Sequence, residues 1–388
     1  MKKLVTFLVL AVSVIYVYAQ EVSPYISKVY DFQPAPGQFI NVLPLFTEND
    51  TKESMITKVE DCIVGEDGLT ITLGAYGGYV VFGFDHPVVN VAGGYDFKIL
   101  GNAFLNSKVN ENGGCEPGIV MVSHDANGNG IPDDEWYELA GSEYNKPETI
   151  HNYEITYYKP APDHVPTPDN EKRYLTDTTY IKWTDNQGGE GYVSKNTFHA
   201  QSYWPEGTQE ETITYSGTKL ADNGVDEFGD GSNYILYAYD WGYADNFPNA
   251  DERSGFKLDW AVDKSGSPVY LPEIHFVKVY TGVNQYCGAL GEISTEISGA
   301  IDLHPDALPT SIQNPKREDT FFLLNNPVAD NMQIVSAKPQ IGRVYTYSGT
   351  ECMSFSLESG TNTISCDNLK RGVYILVTPD KAIKFIKK

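Results

Sequence analysis

Short runs of alternating apolar and polar residues, separated by clusters of Gly, Pro, Asn and Asp, fill the sequence from about Val22 to Leu303. Residues 118–123 (GIVMVS) and 256–262 (FKLDWAV) are examples. Such runs predict strands, because successive side chains of a strand point to opposite faces of a sheet. Amphipathic helical spacing is hard to find, and helical crossovers between strands are missing. We therefore predict an all-β fold with very little helix, in which the larger part is a jelly-roll-like β-sandwich.

Composition divides the chain into segments. Residues 1–19 contain two lysines, an apolar stretch and a small-residue ending, which is typical of a cleavable signal peptide, so the mature chain should begin at Gln20. We assign residues 20–304 to a large domain, the proline-containing residues 305–318 to a linker, and residues 319–388 to a small domain. No long apolar run follows the signal, and no cysteine lies close to its cleavage site. We expect neither a transmembrane helix nor a lipid anchor.

The formal net charge of −24 is concentrated in the large domain, because the signal peptide and residues 319–388 are each net positive. An acidic domain repels polyanions, so nucleic acid and anionic membrane surfaces are poor partners. Divalent cations, neutral sugars and cationic ligands remain compatible with this charge.

The five cysteines are an odd number for a chain that is expected to reach an oxidising compartment. Cys352 and Cys366 lie on neighbouring predicted strands and are candidates for a disulfide, and Cys115 with Cys287 is a weaker candidate. The alternative is that all five are unpaired thiols.

Residues 319–388 contain a series of short segments in a characteristic order: Asn326-Pro327-Val328, Val344–Gly349 (VYTYSG), Gly360–Ile364, Leu369–Leu376 (LKRGVYIL) and Lys384–Lys388 (KFIKK). This series resembles the C-terminal sorting domain of the type IX secretion system of Bacteroidetes. The resemblance implies a small Ig-like β-sandwich, export by the type IX secretion machinery, and a final location at the cell surface or in the extracellular space. An ordinary Ig-like accessory domain is the alternative.

The sharpest chemical motif is the acidic loop, residues 125–135 (DANGNGIPDDE), which directly follows a predicted strand. Its spacing resembles the calcium loops of EF-hands, dockerins and thrombospondin type 3 repeats. Oxygen ligands of this kind suit Ca²⁺, and the loop offers neither imidazole nor thiolate for zinc. Trp136 occupies the position of the bidentate Glu of an EF-hand, so Asp134, Glu135 or a distant residue must complete the shell. A metal-free Asx-rich turn is the alternative. We predict a structural Ca²⁺ site from Asp125, Asn127, Asn129, the Ile131 carbonyl, Asp133 and Asp134.

Signatures of common hydrolases, zinc proteases and nucleotide-binding loops are missing, so we assign no catalytic residue. His86 and His275 are expected to be structural. Aromatic residues beside turns are candidates to stack on a ligand, since flat rings bind sugars and flat cofactors. We predict ligand contacts from Tyr203, Trp204, Trp241 and Tyr243.

Seven further segments resemble a family of Bacteroidetes cell-surface proteins, some of which accompany cobalamin-uptake genes. They are residues 34–39 (PAPGQF), 83–88 (GFDHPV), 101–104 (GNAF), 116–118 (EPG), 136–139 (WYEL), 241–246 (WGYADN) and 278–282 (KVYTG). The resemblance implies a jelly-roll sandwich like carbohydrate-binding modules, with calcium and ligand held by loops at the strand ends. Neither ligand identity nor an activity follows from it.

These observations favour a secreted or surface-attached, calcium-stabilised, non-catalytic protein that binds a glycan or a small nutrient such as a corrinoid. A glycan or peptide hydrolase with an unrecognised acidic site is the first alternative. A structural or adhesive surface protein is the second.

Overall fold

The structure, a computed structural model, describes residues 22–107, 109–308, 321–323, 326–336, 338–346, 349–378 and 382–388. The predicted signal peptide and most of the predicted linker lie outside these residues. Contacts divide the chain into two compact units, with the division between Thr310 and Ser311. Each unit is described by itself.

The first unit contains one α-helix, α1 (Lys52–Ile63), and three short 3-10 helices (Glu252–Ser254, Leu258–Trp260 and Gly288–Leu290) within its described residues. Its strands are β1 (Lys28–Gln33), β2 (Ile71–Thr72), β3 (Tyr79–Gly83), β4 (Val88–Val89), β5 (Phe97–Leu100), β6 (Phe104–Ser107), β7 (Asn112–Gly114), β8 (Gly118–Ser123), β9 (Trp136–Leu139), β10 (Ile150–Tyr158), β11 (Leu175–Asp185), β12 (Glu190–Asn196), β13 (Thr212–Lys219), β14 (Gly224–Asp226), β15 (Tyr234–Tyr237), β16 (Gly255–Phe256), β17 (Ala261–Val262), β18 (Glu273–Ile274), β19 (Phe276–Thr281), β20 (Glu296–Ile297) and β21 (Gly299–Asp302).

A six-stranded antiparallel sheet of order β1-β3-β19-β8-β9-β17 forms the centre of the first unit. Both of its faces are covered. Side chains such as Val120 and Val277 pack on one side against β5, β16, β21 and α1. Ile119 and Tyr280 pack on the other side against the four-stranded sheet β12-β11-β10-β13. Burial on both faces explains why β8 and β19 are apolar almost throughout. The predicted all-β sandwich class is confirmed.

Two local features differ from the expected strand pattern. Residues 256–262 are two short strands joined by a 3-10 helix, since β16 pairs with β5 whereas β17 pairs with β9. The carboxylate of Asp96 accepts a hydrogen bond from the Leu258 N–H at 2.7 Å and fixes this crossing between sheets. Helix α1 begins with a capping box between Thr51 and Ser54 and buries Val59.

The second unit consists of β22 (Phe321–Leu323), β23 (Asn331–Ser336), β24 (Gln340–Thr346), β25 (Glu351–Leu357), β26 (Gly360–Ser365), β27 (Gly372–Val377) and β28 (Ala382–Lys387). The strands form two antiparallel sheets, β22-β23-β26 and β25-β24-β27-β28. Residues from both sheets, including Ile334 and Leu376, build a common apolar core. This is a small β-sandwich.

All five cysteines lie within the described residues and are free thiols. The predicted pairing of Cys352 with Cys366 is wrong, because Cys352 lies exposed on β25 whereas Cys366 is buried after β26, in the other sheet. Cys115 and Cys287 are both buried in the core of the first unit and are also unpaired.

Candidate functional site

The acidic loop leaves β8 and curls back on itself before β9. The Asp125 carboxylate accepts hydrogen bonds from the N–H groups of Asn129 at 3.1 Å and Gly130 at 2.9 Å. The side-chain amides of Asn127 and Asn129 donate to the Asp133 carboxylate at 3.1–3.2 Å. Gly130 has φ +71°, a conformation that favours glycine. Four of the predicted ligand side chains therefore point into the same turn.

Two other predicted ligands have different partners. The Asp134 carboxylate accepts the Ala126 N–H at 3.1 Å. The Ile131 carbonyl accepts the Asp133 N–H at 2.8 Å and keeps one lone pair. Hydrogen bonds from backbone N–H groups, that of Gly130 first, lower the pKa of Asp125. This carboxylate therefore stays charged and available to a cation.

The predicted aromatic ligand residues do not form a site. Tyr203 and Trp204 are 0% and 3% exposed, and Tyr243 is 2% exposed. All three pack in the apolar core of the first unit that also contains Ile119 and Tyr280. Trp241 packs against Trp260 with ring centroids 4.6 Å apart. The buried rings of Tyr203, Trp204 and Tyr243 leave almost no surface on which a ligand could stack.

A cleft of about 420 Å³ lies between β9, β13 and the turn that follows β17. Trp136 and Glu138 line it from β9, and Tyr144 adds a second aromatic ring. Polar groups complete the lining, among them Asn145, His151, Asn152, Thr218, Asp263 and Ser265. A concave surface with a few converging polar groups is the usual form of a small-ligand site.

Glu138 is the unusual group of the cleft. Its carboxylate accepts the Thr218 hydroxyl at 2.6 Å, and the same hydroxyl lies 3.3 Å from Nδ1 of His151. Burial raises the pKa of Glu138 to about 7, and the Thr218 hydrogen bond opposes this rise. Near neutral pH the carboxyl is thus present both with and without its proton, so it can donate or accept a hydrogen bond.

Sequence reasoning missed Glu138, although a signal exists. In residues 136–139 (WYEL) the alternation places Trp136 and Glu138 on one face of β9, and an acid on a strand that packs in a core is unusual. The register confirms the shared face, since Ser123 pairs with Trp136 and Met121 with Glu138.

A second missed group is the carboxyl cluster of Glu116, Asp245 and Glu296, whose oxygens lie within 4.8 Å of one another. Asp245 accepts hydrogen bonds from the N–H groups of Asn102 at 2.9 Å, Ala103 at 2.8 Å and Glu296 at 3.0 Å. Burial raises the pKa of all three acids. Repulsion from Glu296 adds to the rise in the pKa of Glu116 and Asp245, whereas the hydrogen bond with Glu116 opposes the rise in the pKa of Glu296. Such acids either share protons or hold a hard cation.

The carboxyl cluster unites segments that are far apart in sequence. Residues 101–104, 116–118 and 241–246 all contribute to it. Adding a Cβ atom to Gly101 would place it 2.3 Å from Oδ1 of Asp245, so glycine is required there. Contact with one carboxyl cluster explains why these segments supply acids, N–H donors for an acid, and a glycine that leaves room for Asp245.

No protein-family model matches the chain, and no curated protein is significantly similar to it. Within the described ranges, no helix has the length and apolar character needed to cross a membrane.

Proposed function

We propose that the chain is an exported, calcium-stabilised binding protein without catalytic activity, and that a small polar ligand such as a short glycan occupies the cleft over Glu138. The cleft supports this proposal most directly. Trp136 and Tyr144 offer apolar ring surface, and amide and hydroxyl groups offer directional hydrogen bonds, a combination suited to sugars. A corrinoid is larger than this cleft and would only rest on its rim.

We propose a role for calcium because the acidic loop runs directly into the strand that lines the cleft. The acidic loop ends at Glu135, and β9 with Trp136 and Glu138 begins at the next residue. A cation that draws Asp125, Asn127, Asn129 and Asp133 together would order the start of β9 and hence one wall of the cleft. Calcium thus has a structural role and supports ligand binding indirectly.

Glycan arrays followed by calorimetric titration of the mature chain test the proposal. We expect binding to a defined glycan class in Ca²⁺, weaker binding in EDTA, and loss of binding in Trp136→Ala. Trp241→Ala, a change to a tryptophan outside the cleft, should leave affinity unchanged. Absence of binding to every glycan and corrinoid tested would exclude the proposed function.

Hydrolysis is a second candidate, favoured by the pKa of about 7 of Glu138, because general acids and bases work best near the ambient pH. Asp263 lines the same cleft and supplies a second carboxylate. Turnover of a polysaccharide that is abolished by Glu138→Gln would select this candidate over binding alone.

Export is proposed from the two ends of the chain, the signal at residues 1–19 and the sorting-domain resemblance at residues 319–388. The small β-sandwich of the second unit supports it, since it agrees with the fold that the resemblance implies. Deleting residues 319–388 should leave the protein in the periplasm of a type IX-competent host, and fusing them to a periplasmic reporter should send the reporter to the surface or medium. A reporter that stays periplasmic contradicts this assignment.

A further inference from the structure

Two imidazoles meet where β8 ends and β19 begins. The antiparallel register pairs Ser123 with Phe276, and the His275 N–H donates to the Ser123 carbonyl at 2.9 Å, so the ladder continues to the next pair of residues. His124 and His275 consequently lie side by side, with ring centroids 5.1 Å apart. Glu273 precedes His275 by two residues and lies in the short strand β18.

These three side chains present their ligand atoms to one another. One nitrogen of each ring and one carboxylate oxygen of Glu273 all lie within 4.8 Å. Ligand atoms around tetrahedral zinc are roughly 3.4 Å apart, given metal–ligand distances of about 2.0–2.2 Å. Binding of an ion would draw the three ligand atoms closer together by rotation of their side chains. All three residues are partly exposed, so an ion can reach them from solvent.

His124 supplies an independent sign of a missing partner. Its Nδ1 is buried and has no hydrogen-bond partner among the residues that the structure describes. Buried polar atoms in native proteins are nearly always bonded, so an orphaned ring nitrogen needs an explanation. A metal ion bonded to this nitrogen would explain the orphaned atom, and it would also explain why a second imidazole and a carboxylate lie beside it.

We propose that His124, Glu273 and His275 bind a transition-metal ion of the Zn²⁺ class. Two imidazoles and one carboxylate are a known set of three protein ligands for zinc, which leaves the fourth position to water. Calcium prefers oxygen ligands and is not the expected ion here. Burial and the neighbouring His124 ring oppose a positive charge at His275, whereas the carboxylates of Glu273, Asp125 and Asp134 favour one.

One hydrogen bond must change when the metal binds. The Asp125 N–H donates to Nδ1 of His275 at 3.2 Å, so the other nitrogen, Nε2, bears the proton of the neutral ring. Coordination through either nitrogen removes this hydrogen bond, because the metal or a relocated proton then faces the Asp125 N–H.

Competition of the mature, full-length chain with a chromophoric zinc chelator measures the affinity, and the visible absorption of bound Co²⁺ reports the coordination geometry. We expect one Zn²⁺ per chain with a tetrahedral-type Co²⁺ spectrum. Replacing both rings, by His124→Gln with His275→Gln, should weaken binding by more than the roughly 10–100-fold that loss of an outer-shell partner costs. His199→Gln removes a histidine elsewhere and should change nothing.

Glu273→Gln keeps both rings and provides a milder variant if the double substitution fails to fold, which thermal unfolding will show. It should weaken Zn²⁺ binding and alter the Co²⁺ spectrum. Equal zinc affinity in wild type and the double variant, or an equal loss in His199→Gln, overturns the proposal. These readouts do not involve glycan or Ca²⁺ binding, so failure of the site is distinguishable from failure of the proposed function.

Discussion

At the scale of single residues, Glu138 links stability to pH. The pKa of its carboxyl is raised to about 7 by burial, whereas an unfolded chain releases this proton near pH 4.3. The folded state therefore binds more protons between these values, and its stability falls as pH rises through this window, by about 2–3 kcal/mol for this group. Glu138→Gln retains an acceptor for Thr218 and removes the titration. Relative to wild type, it should gain that amount between pH 5 and pH 8 in urea unfolding.

The exposed Glu148→Gln substitution is the matched control for this experiment and should leave the difference between the two pH values unchanged. A Glu138→Gln variant whose unfolding free energy follows wild type at both pH values would contradict a raised pKa.

Gly101 has a role that depends on the carboxyl cluster. A Cβ atom there would lie 2.3 Å from Oδ1 of Asp245 and 2.8 Å from the Glu296 carbonyl oxygen. Gly101→Ala should therefore cost about 1–3 kcal/mol of unfolding free energy, as overpacking usually does. Gly94→Ala meets its nearest atom at 3.6 Å and should cost much less. Equal thermal stability of the two variants would show that the cluster can move aside.

A candidate site could be predicted from the sequence only where its residues lie close together along the chain. The acidic loop was recognisable because its candidate ligands lie within a few positions of one another, so spacing alone suggests convergence. Glu116, Asp245 and Glu296 come together only through the sheet pairing and long loops of the fold. No local pattern reveals such a cluster, and the same holds for His124 and His275.

At the scale of elements, the acidic loop should behave as a metal-dependent connection between β8 and β9. Asp125→Ala with Asp133→Ala removes two convergent carboxylates and should lower the melting temperature in Ca²⁺, while EDTA should no longer change it. Asp230→Ala, in the loop between β14 and β15, is the control and should keep the EDTA response. Differential scanning calorimetry measures both. If EDTA never shifts the wild-type transition, the loop is only a turn.

Strands and helices could be predicted from the sequence where the apolar residues follow one clear spacing. The strand predicted at residues 118–123 is β8, because its apolar residues fit an interior strand buried on both faces. The sequence pattern does not predict helix α1, since Met55, Val59 and Ile63 give only one buried residue per turn among polar neighbours. Its Thr51–Ser54 capping box was the available signal. The break inside residues 256–262 depends on sheet pairing and has no local signature.

At the scale of the whole molecule, acids of two kinds set the pH range of stability. Acids with a cationic or N–H partner, such as Asp50 beside Lys58 and Asp169 bonded to backbone N–H groups, have lowered pKa values. Their contribution is lost only as the pH falls below about 4. The buried acids have raised pKa values, among them Glu292 at about 8 because of burial. Their contribution is lost as the pH rises.

The intact chain in EDTA should therefore have a higher unfolding free energy at pH 5.5 than at pH 8, since the unfolded state has already released the protons that Glu138, Glu292 and the carboxyl cluster still hold. Urea unfolding at the two pH values checks this. A higher stability at pH 8 in EDTA would mean that these acids are ionised in the folded chain.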